Sequence, residues 1–292
     1  MEALATLIPI VLTTSLAALI VAVGMDADMD DLLHLWRRPA ELANAVLAVN
    51  VVVPLAAVLL VFVFPLTQVA RAGILLMAVS PVPPLAPGKQ LKVGGAKSYA
   101  YGLYLALALL SVIIVPLTVE ILSRIYGVEV NLPVALIARN VALGVLLPLA
   151  VGLFLRRIAP LFADRAAPLV RKIAMLLLVI AVIPLLIKAW PGLVALVGNG
   201  TILAMALTAA IALAAGHLLG GPELSGRAAL AVTAATRHPG IAMMIANFNQ
   251  ADRQVAAAVL AMMFVGMFVG APYQLWIKRR SRSTGPAAAA PG

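Results

Sequence analysis

Runs of 18 or more apolar residues recur along nearly the whole chain, from Ala3 to Ile277. A helix needs about 20 such residues to cross the roughly 30 Å hydrocarbon core of a bilayer. No gap between the runs is long enough for a soluble domain. The chain therefore reads as one all-α integral membrane unit over residues 1–278, with residues 279–292 a disordered cytoplasmic tail rich in small and polar residues. Composition agrees, since 64% hydrophobic against 11% charged leaves too little charge for a globular surface. The net charge of +10 would suit nucleic acid only if the basic residues were clustered. They sit instead at the ends of apolar runs, where charge sets topology, so the expected partner is the lipid bilayer and not nucleic acid. The chain has no cysteine, which excludes disulfides and thiolate metal sites. MEALATLIPI lacks a basic leader, so it reads as the start of a retained span.

The runs resolve into nine spans, at about 3–24, 41–64, 70–94, 97–123, 133–155, 167–189, 196–219, 226–249 and 253–277. Fourteen Lys and Arg fall on one side of such a layout and five on the other, with Lys89 and Arg237 left out as intramembrane. The positive-inside rule makes the richer side cytoplasmic. The expected setting is a multi-pass cell (inner) membrane protein with its N-terminus outside and its C-terminus inside.

Two of these spans are interrupted in the same way. RAGILLMAVSPVPPLAPGKQLKVGGAKS and RAALAVTAATRHPGIAMMIANFNQADRQ align at an offset of 156 residues. Arg71, Ser80, Pro83, Lys97 and Pro116 then match Arg227, Thr236, Pro239, Arg253 and Pro272. Matched broken segments in two halves of a membrane chain point to a secondary transporter. The copies are the third and eighth spans, an odd separation, so they enter from opposite sides as an inverted repeat. The second unit (about 133–277) has five spans and the first (about 3–123) four.

Proline removes a main-chain donor and clashes with the preceding turn. Pro81, Pro83, Pro84 and Pro87 with Gly88, and Pro239 with Gly240, are the expected helix breaks. The main-chain groups they free must face protein, water or a ligand. Around them lie the candidate substrate-binding residues. Arg237 can hold an oxyanion with its planar fork, the competing reading being a capped helix end or a carbonyl partner. Truncating it is expected to stop transport and leave folding intact. His238 titrates near neutrality and can carry a proton. Lys89 is a second cation, unless its stem lets the ammonium reach the cytoplasmic face. Gln90 follows it, and Ser80, Thr233 and Thr236 offer hydroxyls that compete with bonding to a carbonyl one turn earlier. Asn247, Asn249 and Gln250 end the second broken segment.

Asp26, Asp28, Asp30 and Asp31 lack the glycine and distal glutamate of a calcium loop. Asp28 or Asp30 is expected to cap a short amphipathic helix, DDLLHLWRRP, ending at Pro39. Gly266 and Gly270 form a close-packing GxxxG. No metal or cofactor site, Walker loop or nucleophile elbow is present, so the chain does not read as an enzyme or an ATP-driven pump.

On VGMDADMDDLLHLWRRP, AVSPVPPLAPGKQLKVGGAKSYA and ATRHPGIAMMIA, the chain resembles the bile acid:sodium symporter family over nearly all of Ala3 to Lys278. The resemblance implies two inverted repeats, or nine helices when the first is missing. It also implies a core in which the two broken helices cross, a panel of the other helices, and an organic anion carried between them with sodium. The family's Ser-Asn sodium ligands fall on Ala86 and Pro87, its glutamate on Thr233, and its Gln-Asn pair on Arg237 and His238. Those replacements remove negative charge and add positive, which opposes a hard cation. The expectation is a small-organic-anion transporter working by alternating access, proton-coupled or uncoupled in place of sodium-coupled. Its substrate and oligomeric state are left open. A non-transporting membrane receptor or scaffold is the alternative, while a channel lacks a polar stripe to line its pore.

Overall fold

The computed structural model describes residues 2–126, 134–248 and 254–283, so Asn249, Gln250 and Arg253 lie outside the described residues. Every regular element among the described residues is helical. The first half runs α1 (Glu2–Asp26), α2 (Met29–His34), α3 (Pro39–Val46), a π turn (Leu47–Val52) and α4 (Val53–Val63). It continues through α5 (Gln68–Val79), α6 (Ala86–Lys92) and α7 (Lys97–Tyr126). The second half runs α8 (Val134–Val141), a second π turn (Ala142–Leu146), α9 (Leu147–Ile158) and α10 (Pro160–Ala195). There follow α11 (Thr201–Leu219), α12 (Leu224–Ala235), α13 (Pro239–Phe248) and α14 (Val255–Ser283).

Among the described residues, seven helices are long and apolar enough to cross a membrane: Leu7–Asp26, Pro39–Val63, Lys97–Tyr126, Ala138–Ile158, Pro160–Ala195, Thr201–Leu219 and Val255–Ser281. They coincide with seven of the nine expected segments. The other two are each a pair of short helices, α5 with α6 and α12 with α13.

Three expectations need correction. Pro87 and Gly88 do not break the chain; they lie in the first turn of α6. Proline is tolerated there because the first amides of a helix have no acceptor in any case. Pro239 and Gly240 open α13 for the same reason, and the interruption itself is Thr236–His238. The tail residues 279–283 are helical, because α14 runs on to Ser283 with Arg280 stacked 5.0 Å from the Trp276 ring centre. The sixth segment, expected at 167–189, is a 36-residue helix. At about 1.5 Å per residue it is longer than a hydrocarbon core is thick, which puts Arg165, Arg171 and Lys172 on the helix.

The helices pack mainly in two groups, joined where α10 also packs on α14. α1 lies along α9 and α10. At their crossing two glycines meet, and a Cβ on Gly24 would stand 2.7 Å from the Leu149 carbonyl oxygen. Small residues take this place because lipid offers no hydrophobic drive for association, so helices gain by bringing their backbones close. In the second group α11 packs on α4, α12 and α14, and α14 on α5. There Gly216 lies against the Ala231 main chain and Gly73 against Ala258.

A charge network joins the ends of several helices. Asp28 caps α2, its amide donating to Asp31 Oδ2 at 2.9 Å, and the chain turns through Leu35–Arg38 before Pro39 opens α3. Asp28 also accepts from Arg156 Nε at 2.7 Å and Lys97 Nζ at 3.2 Å. Asp26 pairs with Arg171 and accepts from the Tyr101 hydroxyl at 3.2 Å. The acidic cluster is thus spent on cations from α7, α9 and α10, and on Arg37, which pairs with Asp30. Burial by itself would raise the Asp28 carboxyl, but the hydrogen bonds from Arg156 and Lys97 outweigh it and hold the group below the ordinary 3.8.

A carboxyl lowered on folding stabilises the protein above its unfolded pKa, and the contribution is lost as pH falls through the folded value. Thermal midpoints of the wild type and Asp28→Asn are therefore expected to differ at pH 6 and to converge as pH falls below about 4. Asp28 is half-exposed, so the difference is expected to be small. A gap that stays constant down to pH 3 would show that this carboxylate does not titrate against its partners.

Candidate functional site

The two interrupted segments meet at their breaks. Ser80 ends α5, and Pro81–Leu85 lead into α6. Thr236–His238 separate α12 from α13. The His238 amide donates to the Pro81 carbonyl at 3.0 Å, so the breaks touch through their main chains. A second tie is buried between α6 and α12, where Gln90 Nε2 donates to Thr233 Oγ1 at 2.6 Å.

Arg237 is buried at 6% exposure, and its fork reaches two carbonyls from elsewhere. Nη1 donates to the Ser80 carbonyl at 3.2 Å and Nη2 to the Val49 carbonyl at 2.5 Å. Both acceptors are left without local donors by proline. In the π turn around Val49 hydrogen bonds run five residues ahead, and five ahead of Val49 is Pro54. Three and four residues ahead of Ser80 are Pro83 and Pro84. None of these prolines has an N–H to give. The guanidinium supplies the missing donors, which is the capped-end reading of Arg237. Its Nε finds no acceptor.

The other candidates fall into two sets. The Ser80 and Thr236 hydroxyls donate one turn back, to Leu76 at 2.7 Å and Val232 at 2.6 Å. Thr233 does likewise to Ala229 at 2.8 Å while accepting from Gln90. His238 precedes the first turn of α13, and its Nδ1 accepts from the Ile241 amide at 3.3 Å. Ser80, Thr233, Gln90 and His238 are all buried and belong to the crossing itself. Lys89, Thr236 and Arg237 line a cavity of about 400 Å³ between α5, α6, α11, α12 and α14.

The rest of that cavity is almost wholly apolar. Met77, Met262, Met263 and Met267 contribute thioethers, with Leu213, Val232 and Leu275 beside them. Gln274 is its other polar residue, unmarked in the sequence because a lone amide within a helix carries no pattern. Lys89 is half-buried, and among the described residues no carboxylate pairs with it or with Arg237. The site is thus two cations in the lining of a largely apolar space. Such a space accommodates an apolar body, and the cations favour an anionic head. Methionine side chains adapt to bodies of different shape.

The family model described as the Sodium Bile acid symporter family matches residues 13–195. No curated protein matches the chain. The matched stretch takes in the first interrupted segment and ends before the second, so Thr233, Arg237 and His238 stand outside it. With well over half its length matched, several membrane-crossing helices and no strand among its described residues, the chain belongs to the Sodium Bile acid symporter family, and it is an integral, multi-pass membrane protein of the transporter kind.

Proposed function

We propose that this protein is a secondary transporter that moves a small organic anion by alternating access, with protons as the coupled ion or with none. One observation carries the reading: Lys89 and Arg237, neither facing a carboxylate among the described residues, share a largely apolar cavity beside the contact of two interrupted helices. In this scheme the Lys89 ammonium holds the anionic head, the Arg237 donors not spent on carbonyls support it, and Thr236 and Gln274 lie alongside. Ser80, Thr233, Gln90 and His238 hold the crossing in shape. His238 is the proton candidate: with Nδ1 accepting from the Ile241 amide the neutral ring carries its hydrogen on Nε2, so an added proton must go to Nδ1 and would release that amide.

The wider architecture of the proposal is a single transmembrane domain over residues 1–278 with nine crossings, N-terminus outside and C-terminus cytoplasmic. It comprises inverted repeats of four and five spans. The 156-residue alignment and the two interrupted segments support it. α1, α9 and α10 serve as the panel, and the helices around the crossing serve as the core, in line with the two packing groups.

Uptake into proteoliposomes tests the reading. Amphipathic carboxylates are expected to enter at the same rate in sodium as in potassium at equal ionic strength, and faster with an inward proton gradient if His238 couples. No movement of any organic anion by folded protein would overturn transport in favour of a receptor or scaffold. A sodium-dependent rate would overturn the coupling assignment.

A further inference from the structure

A buried guanidinium with no carboxylate partner among the described residues is an expensive arrangement. Removing a charge from water costs several kcal/mol even after relaxation, so a buried cation survives only where oriented dipoles replace its hydration. At Arg237 those dipoles are main-chain carbonyls. Their presentation is built into the sequence at two distant places. Pro54 strips Val49 of its donor, and Pro83 with Pro84 strip Ser80 of its own. Without Arg237, two oxygens with no hydrogen-bond partner would face each other's neighbourhood inside the protein, a concentration of negative potential with nothing to balance it.

We infer that the Val49 and Ser80 carbonyls form a seat for a planar monovalent cation of the guanidinium class, and that Arg237 is its tethered occupant. The seat is made by three protein segments. The π turn gives Val49, the end of α5 gives Ser80, and the end of α12 brings the cation. A guanidinium fits because its two terminal nitrogens reach two separate oxygens from one rigid plane, which an ammonium cannot do. An alkali cation placed there would have to displace the resident charge, so the seat is closed to bath ions in the wild type. Nothing in this assignment depends on what the cavity carries, and it stands or falls apart from the transport reading.

The test is chemical rescue of a truncated side chain, followed as the thermal unfolding midpoint of purified protein. Arg237→Ala is expected to unfold at a lower temperature than the wild type. Millimolar guanidinium chloride is then expected to raise the variant's midpoint along a saturating curve by about 2–4 °C, as mass action requires of a ligand that binds only the folded state. Choline chloride at the same ionic strength is expected to leave it unchanged, and the wild type is expected to respond to neither salt. A variant with no guanidinium-specific rise would overturn the seat, and so would a wild type that rises equally. If Arg237→Ala does not yield folded protein, the same titration is made on Arg237→Gln, whose amide keeps one carbonyl bond and leaves the charge vacant. A saturating rise there supports the seat, and its absence overturns it.

Discussion

Lys89→Gln is expected to raise the KM for anion uptake roughly 30-fold or more while leaving the thermal midpoint close to that of the wild type. Removing one member of a desolvated charge pair costs about 2–5 kcal/mol, and about 1.4 kcal/mol corresponds to a factor of ten. The reason for choosing Lys89 over Arg237 is geometric. The Arg237 fork already holds two carbonyls, so its loss mixes binding with folding. That geometry also corrects the expectation that Arg237 can be truncated without structural effect, since two buried acceptors would lose their partners at about 1–3 kcal/mol each. The Lys89 ammonium has no carboxylate to satisfy it among the described residues, and its side chain lines the cavity beside Thr236. Lys89→Arg, which keeps the charge, is expected to retain most of the affinity. Uptake measured against substrate concentration separates the outcomes. An unchanged KM in Lys89→Gln would mean that the ammonium turns to the headgroups and takes no part in binding.

Gly152→Ala is expected to be the more destabilising of the single-methyl changes at the glycines where α1 meets α9. Its new β-carbon would overlap the Val21 carbonyl oxygen and press on the Gly24 α-carbon, both main-chain atoms of α1. A side chain can rotate away from a clash, but a packed helix backbone has to translate. Overpacking of this sort costs about 1–3 kcal/mol and occasionally more. Gly144→Ala is the control, because nothing lies within 4 Å of the β-carbon it would add. That change is expected to be neutral or slightly stabilising, since alanine favours helix over glycine by about 1 kcal/mol. Midpoints of the two variants in one detergent decide the matter. Equal behaviour would mean that α1 and α9 do not cross in contact at Gly24 and Gly152.

The difference between what was readable in the residues and what was not follows the range of the forces involved. An apolar run long enough to cross a bilayer declares itself locally, and so does proline, whose ring acts within one turn. Hence the seven long helices and the two interruptions could be placed from the chain alone, with errors of detail at Pro87, Gly88, Pro239, Gly240 and residues 279–283 and in the length of α10. The capping of α2 was legible as Asp28 or Asp30 for the same reason, being a contact within three residues, although the helix ends at His34 and not at Pro39. Pro54 was in plain view as well, but in an ordinary helix it would free the Asn50 carbonyl, and only the π turn moves the effect to Val49. What could not be anticipated is that the Val49 carbonyl would meet Arg237, 188 residues further along. The bond between Gln90 and Thr233 spans 143 residues and is equally invisible in sequence. Residue type marked Lys89 and Arg237 alike as intramembrane cations. Packing alone made them different, because the orphaned carbonyls at the crossing took up the guanidinium and left the ammonium facing an apolar cavity.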